Sequence, residues 1–282
     1  MTDLSALLSN PGANNLEWQD PYLPGRTIIL RGARPVHCTP DTPVLFVHHG
    51  VNRNGYDYRD FWLPLVDEAD VLVIAPEFPD AGFPKSDWYN YGNRLDTDGI
   101  PKPRVEWTYN VDERLFALLQ TQGLTKRNTY GVFGHSAGGQ FVHRMISLGF
   151  RSKVAAAVTA NAGTYAMADL SEPWPFGLAN TGLDELEMLA LLKFRLTVMA
   201  GTADTDASTP NFPKEAVAMR QGGTRYARAH HYIAGARAQA ASLGVHCAWT
   251  IIDVEGVAHD GKRMSAAAAP ILSAALHAAA RG

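Results

Sequence analysis

The sequence predicts an α/β fold, a mostly parallel central sheet with helices on both faces and no large lid domain. Three observations carry that expectation. Short, nearly unbroken apolar runs alternate with longer segments of helical character, the order of strands covered on both sides by crossover helices. The five residues Gly134-His135-Ser136-Ala137-Gly138 lie between one such run and a helix-like segment, so a tight turn joins strand to helix there. Finally, 282 residues of which 46% are hydrophobic suffice to bury one large core.

The expected elements follow in order. Arg26–Leu30 reads as an early antiparallel strand, followed by Val44–His48, Val71–Ala75, Thr129–Phe133, Val154–Ala160, Leu196–Ala200 and Ala248–Val254. Between them, helices are expected over about 58–69, 108–122, 137–149, 183–193, 224–243 and 262–280, the last two rich in alanine. There is no repeat, low-complexity linker or break in composition, so residues 1–282 are expected to form a single domain, with 1–25 as an N-terminal extension. Residues 79–107 form a long connection crowded with Pro, Gly and aromatics, expected to build the rim of a functional site. The stretch from Gly163 to Arg195 has room for one helix and some irregular chain, too little for a separate lid.

Composition removes several classes of function. Lys and Arg total 25 against 28 Asp and Glu, a formal charge of −3 that offers no basic footprint for nucleic acid. No apolar run reaches the ~18 residues that span a bilayer. The first residues carry no positive n-region, and a cytoplasmic enzyme is expected. Two cysteines, Cys38 and Cys247, encode neither a disulfide framework nor a thiolate metal site.

The chemistry gathers around Ser136. Serine is a weak nucleophile until a histidine takes its proton, and a carboxylate must orient that histidine. Where a strand–turn–helix elbow carries the serine, the acid and then the histidine follow on loops after later strands. Asp204 follows Leu196–Ala200 in Gly201-Thr202-Ala203-Asp204, and His259 follows Ala248–Val254 in Gly256-Val257-Ala258-His259. Asp206 is the alternative acid, because a small shift of its loop exchanges the two. His143 in the elbow helix and His230 with His231 in mid-helix read as structural or solvated; only His259 has the strand–loop–helix placement. Asp260 reads as a loop-stabilising neighbour. Donors for a developing oxyanion are expected from the backbone amides of Ala137, at the start of a helix, and of Val51, after His49-Gly50. Trp88, Tyr89, Tyr91 and Tyr165 are candidate walls of the substrate pocket, with packing in the core as the competing role. Arg53 is a candidate ligand for a substrate carboxylate or hydroxyl, or a salt bridge within its loop.

The ordered set His49-Gly50-Val51, Gly134-His135-Ser136-Ala137-Gly138, Gly201-x-x-Asp204 and Gly256-Val257-Ala258-His259 resembles the α/β-hydrolase family over about residues 26–281. Within it, His49-Gly50-Val51-Asn52-Arg53-Asn54 followed by Tyr58, and Gly201-Thr202-Ala203-Asp204-Thr205-Asp206, are similar to poly(3-hydroxybutyrate) depolymerase-like and feruloyl-esterase-like proteins. The resemblance implies a serine esterase that needs neither metal nor organic cofactor and acts on a small-molecule or short oligomeric ester. A prolyl-oligopeptidase-like peptidase, an acyltransferase and a non-catalytic binding protein are the rival functions for the same residues.

Overall fold

A computed structural model describes residues 2–279. Its centre is an eight-stranded sheet in the order β1-β2-β4-β3-β5-β6-β7-β8. The strands are β1 (Gly12–Gln19), β2 (Thr27–Arg34), β3 (Val44–His48), β4 (Leu72–Glu77), β5 (Tyr130–His135), β6 (Val154–Ala160), β7 (Leu196–Gly201) and β8 (Thr250–Val254). β1 pairs antiparallel with β2 and β2 antiparallel with β4, while β3 to β8 run parallel.

The unbroken apolar runs are explained by two cores, one on each face. Along β3, Val44 and Phe46 enter one core, and Leu45 and Val47 enter the other. β5 divides in the same way, Val132 to the first and Phe133 to the second. The helices are α1 (Gly55–Trp62), α2 (Val66–Ala69), α3 (Val111–Thr121), α4 (Ala137–Ser147), α5 (Glu185–Lys193), α6 (Ala216–Gln221), α7 (Arg225–Ser242) and α8 (Gly261–Ala278). Leu115 and Phe116 of α3, Phe141 and Met145 of α4, Met188 of α5 and Tyr232 of α7 fill the first core. Trp62 of α1 and Met264, Leu272 and Leu276 of α8 fill the second.

Several boundaries differ from the expectation. Residues 12–19, read as part of an N-terminal extension, form the edge strand β1; its exposed polar residues lack the apolar run that marks a strand buried on both faces. The helix expected over 58–69 is two helices. Pro64 between them has no amide hydrogen to donate and crowds the carbonyl one turn back. α6 was not expected at all. The final helix was expected to reach 280, which lies outside the described residues; its start is fixed by Asp260, whose side chain accepts from the Arg263 amide. Among the described residues no helix is long and apolar enough to cross a membrane.

The order of the strands places the site. β3 has β4 on one side and β5 on the other, so the chain's path across the sheet reverses there. A crevice opens beyond the carboxyl ends of strands at such a reversal. The loop after β3 and the turn after β5 both end in it.

Candidate active site

β5 ends at His135 and α4 begins at Ala137, so Ser136 makes the turn, with φ 58° and ψ −117°. That conformation is strained for a residue with a side chain and persists only where its surroundings enforce it. Here they do. A Cβ on Gly134 would stand 2.1 Å from the Gly138 carbonyl oxygen, and one on Gly138 would stand 2.1 Å from the His48 carbonyl oxygen. The Ser136 amide donates to the Ala160 carbonyl at 3.0 Å, tying the elbow to β6.

His259 Nε2 lies 3.0 Å from Ser136 Oγ, and His259 Nδ1 lies 2.7 Å from Asp204 Oδ2. The acid and histidine loops are held to each other by backbone. The Ala203 amide donates to the Val257 carbonyl at 3.0 Å, and a Cβ on Gly201 would meet that same oxygen at 2.3 Å. Asn161, after β6, bridges both loops: its Oδ1 accepts from the Gly201 amide at 2.8 Å, and its Nδ2 donates to the Ala258 carbonyl at 3.1 Å. Asp204 is buried, and Arg225 of α7, equally buried, brings Nη1 to 3.6 Å from Asp204 Oδ1 and compensates its charge. Asp206 points to solvent and accepts from the Ser208 amide. Of the two candidate acids, only Asp204 meets the histidine.

The Val51 amide, the second expected donor, is oriented by His49. This ring is fully buried, and burial pulls its pKa down to about 3, so it is neutral at ordinary pH. Its Nε2 accepts from the Phe78 amide at 3.1 Å; the ring hydrogen therefore sits on Nδ1 and is donated to the Gly50 carbonyl at 2.8 Å. In a trans peptide the C=O and the following N–H point in opposite directions. Holding the Gly50 oxygen toward His49 thus turns the Val51 N–H away from it. Among the described residues this amide donates to no partner. Ala137, at the first position of α4, has no carbonyl one turn back within the helix to receive its N–H.

A second buried imidazole stands beside that of His259. The His135 ring packs 4.6 Å from that of His259, its Nδ1 is hydrogen-bonded to the Tyr58 hydroxyl at 2.8 Å, and burial holds its pKa well below the ordinary value.

The cleft at Ser136 encloses about 300 Å³ and is mostly polar in character, with Asn90, Gln140, Thr164, Lys214 and Arg225 on its walls. None of these five was among the expected pocket residues. They sit on loops and helix flanks, where sequence gives no direction for a side chain. Tyr91 does line the cleft. The other expected walls do not. Tyr89 is fully buried, its ring stacked on His49 at 4.5 Å and its hydroxyl donating to the His49 carbonyl at 2.7 Å. Tyr165 is buried against Tyr232, with centroids 4.4 Å apart. Trp88 lies in a neighbouring groove, between the Arg26 guanidinium and the Lys102 ammonium. Arg53 is not free to bind substrate. Its guanidinium donates to the carbonyls of Phe83 at 3.0 Å and Lys85 at 2.6 Å and covers the Tyr89 ring, so it braces the 79–107 loop.

No protein-family model matches the chain, and no curated protein matches it. Among solved structures, the chain is similar to LpqC, a poly(3-hydroxybutyrate) depolymerase from Bordetella parapertussis, at 39% identity over 95% of this chain and 93% of that one, with a TM-score of 0.90. It is similar to poly(aspartic acid) hydrolase-1 from Sphingomonas sp. KT-1 at 36% identity over 93% and 99% of the two chains, with a TM-score of 0.89. An S-formylglutathione hydrolase from Agrobacterium tumefaciens, 16% identical over 95% and 94% with a TM-score of 0.56, shares the fold.

Two predictions follow from the packing. Gly138→Ala forces a methyl group into backbone oxygens that cannot swing aside, and should cost about 3 kcal/mol or more in urea unfolding; a variant of unchanged stability would mean α4 does not approach β3 this closely. His49 is neutral in the fold down to about pH 3 but protonates near 6.5 once unfolded. The unfolded chain therefore binds the extra proton in that window, and stability present above pH 6.5 is lost as the pH falls toward 3. His49→Gln should remove up to ~1.4 kcal/mol per pH unit from that slope, read from urea midpoints between pH 7 and 4. An unaltered slope would contradict the buried, neutral assignment.

Proposed function

The chain belongs to the α/β-hydrolase family, in the branch of poly(3-hydroxybutyrate) depolymerase-like serine esterases, and from that premise we propose that it hydrolyses carboxylic esters through an acyl-enzyme on Ser136. The observation that carries this reading is the continuous path from Asp204 through His259 to Ser136, at 2.7 and 3.0 Å.

With its Nδ1–H donated to Asp204, His259 has a free lone pair on Nε2 to accept the serine proton as Oγ attacks the ester carbonyl. The resulting imidazolium is stabilised by the Asp204 carboxylate, whose far oxygen stays balanced by Arg225. The carbonyl oxygen gains negative charge as the carbon becomes tetrahedral. The Val51 and Ala137 amides meet it, and the helix dipole of α4 adds to the second. Collapse expels the alkoxide, which takes the proton from His259. Water then enters, gives its proton to Nε2, and releases the acid by the same steps in reverse.

Similarity to the Bordetella depolymerase supports short 3-hydroxyalkanoate esters as the substrate class. The cleft at Ser136, of about 300 Å³, suits a small molecule or the end of a short oligomer. The chain works as one catalytic domain, with the 79–107 loop as one wall of that cleft through Ser86, Asn90 and Tyr91.

Ser136→Ala should abolish turnover of short-chain nitrophenyl esters and labelling by a fluorophosphonate, leaving at most a residual ~10³–10⁴-fold advantage over water. Asp204→Asn should lower kcat about 10⁴-fold, whereas Asp206→Asn should leave it within a small factor of wild type. Full activity in Ser136→Ala would end the proposal, and a larger loss in Asp206→Asn would reassign the acid.

A further inference from the structure

One guanidinium beneath the cleft has no anion to balance it. Arg144 of α4 is fully buried. It donates to the Pro175 carbonyl from Nε at 3.3 Å and Nη2 at 3.0 Å, to Thr164 Oγ1 at 3.1 Å, and to Gln140 Oε1 at 2.9 Å. Among the described residues no carboxylate pairs with it, and the faces of Tyr91 and Trp174 cover it at 4.9 and 5.9 Å. A cation removed from water costs several kcal/mol unless its surroundings answer it, so the neutral oxygens around Arg144 are strongly polarised.

That cation fixes the orientation of a side chain in the cleft. A guanidinium can only donate, so the Gln140 carboxamide must turn its oxygen toward Arg144. The same oxygen accepts from Asn90 Nδ2 at 3.1 Å and from Thr164 Oγ1 at 3.0 Å, and Thr164 is free to donate because its own acceptor side faces Arg144. Gln140 Nε2 then faces the other way. Gln140 lines the cleft that contains Ser136, and its Nε2 donates to no partner among the described residues. Gln140 follows Ser136 by one helical turn, its amide bonded to the Ser136 carbonyl at 3.0 Å, and side chains on a helix lean toward its N-terminus. Its Nε2 lies beside Gly163, where a Cβ would stand 2.9 Å from it, and both residues line the cleft that Ser136 also lines.

The direction of the cleft separates the two halves of the ester. The leaving oxygen must meet His259 Nε2, yet His259 is not among the residues that line the Gln140 cleft. That leaves this space to the acyl group.

We infer that Gln140 is a specificity-determining residue: its Nε2 hydrogens hold an acceptor oxygen borne by the acyl chain close to the scissile carbonyl, and Arg144 is the positioning residue that fixes and polarises the amide. The inference rests on Ser136 being the nucleophile. It deepens the substrate class to acyl groups with a hydroxyl, acyloxy or carboxylate oxygen, in preference to plain alkanoyl groups.

The test compares p-nitrophenyl 3-acetoxybutyrate with p-nitrophenyl butyrate, which share a leaving group and differ in one acceptor. Wild type should favour the acetoxy ester in kcat/KM, and Gln140→Leu should lose about tenfold more on that ester than on butyrate, mainly through KM. Gln140→Glu, which removes the donors but keeps the length, should lose the preference as well. A wild-type enzyme with no preference overturns the inference, and this arm needs no folded variant. So does a Gln140→Leu enzyme that loses kcat equally on both esters, which would make the amide an oxyanion donor or a structural prop. Fluorophosphonate labelling of wild type at Ser136, run in parallel, separates failure of this inference from failure of the esterase reading itself.

Discussion

The site depends on how closely the start of α4 approaches the end of β3. With no side chain on Gly138, the helix backbone comes up against the His48 carbonyl, and Gly134 leaves room for Gly138 in turn. This contact brings the strained Ser136 beside the His49-Gly50-Val51 loop, so Ser136 and the Val51 and Ala137 amides, the proposed nucleophile and donors, belong to one rigid junction of two adjacent strands. The strain at Ser136 is borne by the sheet, since the Ala160 carbonyl holds its amide from the far side. Electrostatic preorganisation of this kind needs donors that do not move when charge appears, and backbone locked by packing meets that need.

Buried ionisable groups fix the remaining loops. His49 and His143 each accept a backbone amide on Nε2 and donate from Nδ1 to a carbonyl, of Gly50 and Gly139 respectively, so each works as a neutral clamp on a peptide near the elbow. α7 faces the site with Arg225 against Asp204 and, one turn further on, Arg228, which donates to the carbonyls of Gly163, Pro213 and Gly222. Burial pulls Arg228 down to about 10, still charged at neutral pH. One helix therefore supports the acid and also shapes the cleft walls at Gly163 and Pro213.

The residues that meet at the relay were legible because their order along the chain is tied to strand ends. Ser136 and Asp204 each follow a buried strand, which announces itself as an apolar run, and His259 follows β8, an edge strand that still carries Ile251, Ile252 and Val254. β1 was illegible for the opposite reason: at the edge of the sheet it carries Asn14, Asn15 and Glu17 instead of an apolar run. The walls of the cleft were equally hidden. Tyr89 and Tyr91 lie two positions apart in the same loop, yet one supports His49 from the core and the other faces the cleft. Their difference comes from Arg53 and His49, partners distant in sequence. Nothing in the sequence separates Arg144, Arg225 and Arg228 from other helix arginines; the packing of α4 and α7 is what buries them at the site.

The most direct test of the central claim, a serine attacking within reach of two fixed amides, is a crystal structure of the enzyme after reaction with a fluorophosphonate. Phosphorus should be bonded to Ser136 Oγ, with the phosphonyl oxygen about 2.7–3.1 Å from the amide nitrogens of both Val51 and Ala137. A covalent bond to any other side chain, or a phosphonyl oxygen turned away from those amides, would contradict the account.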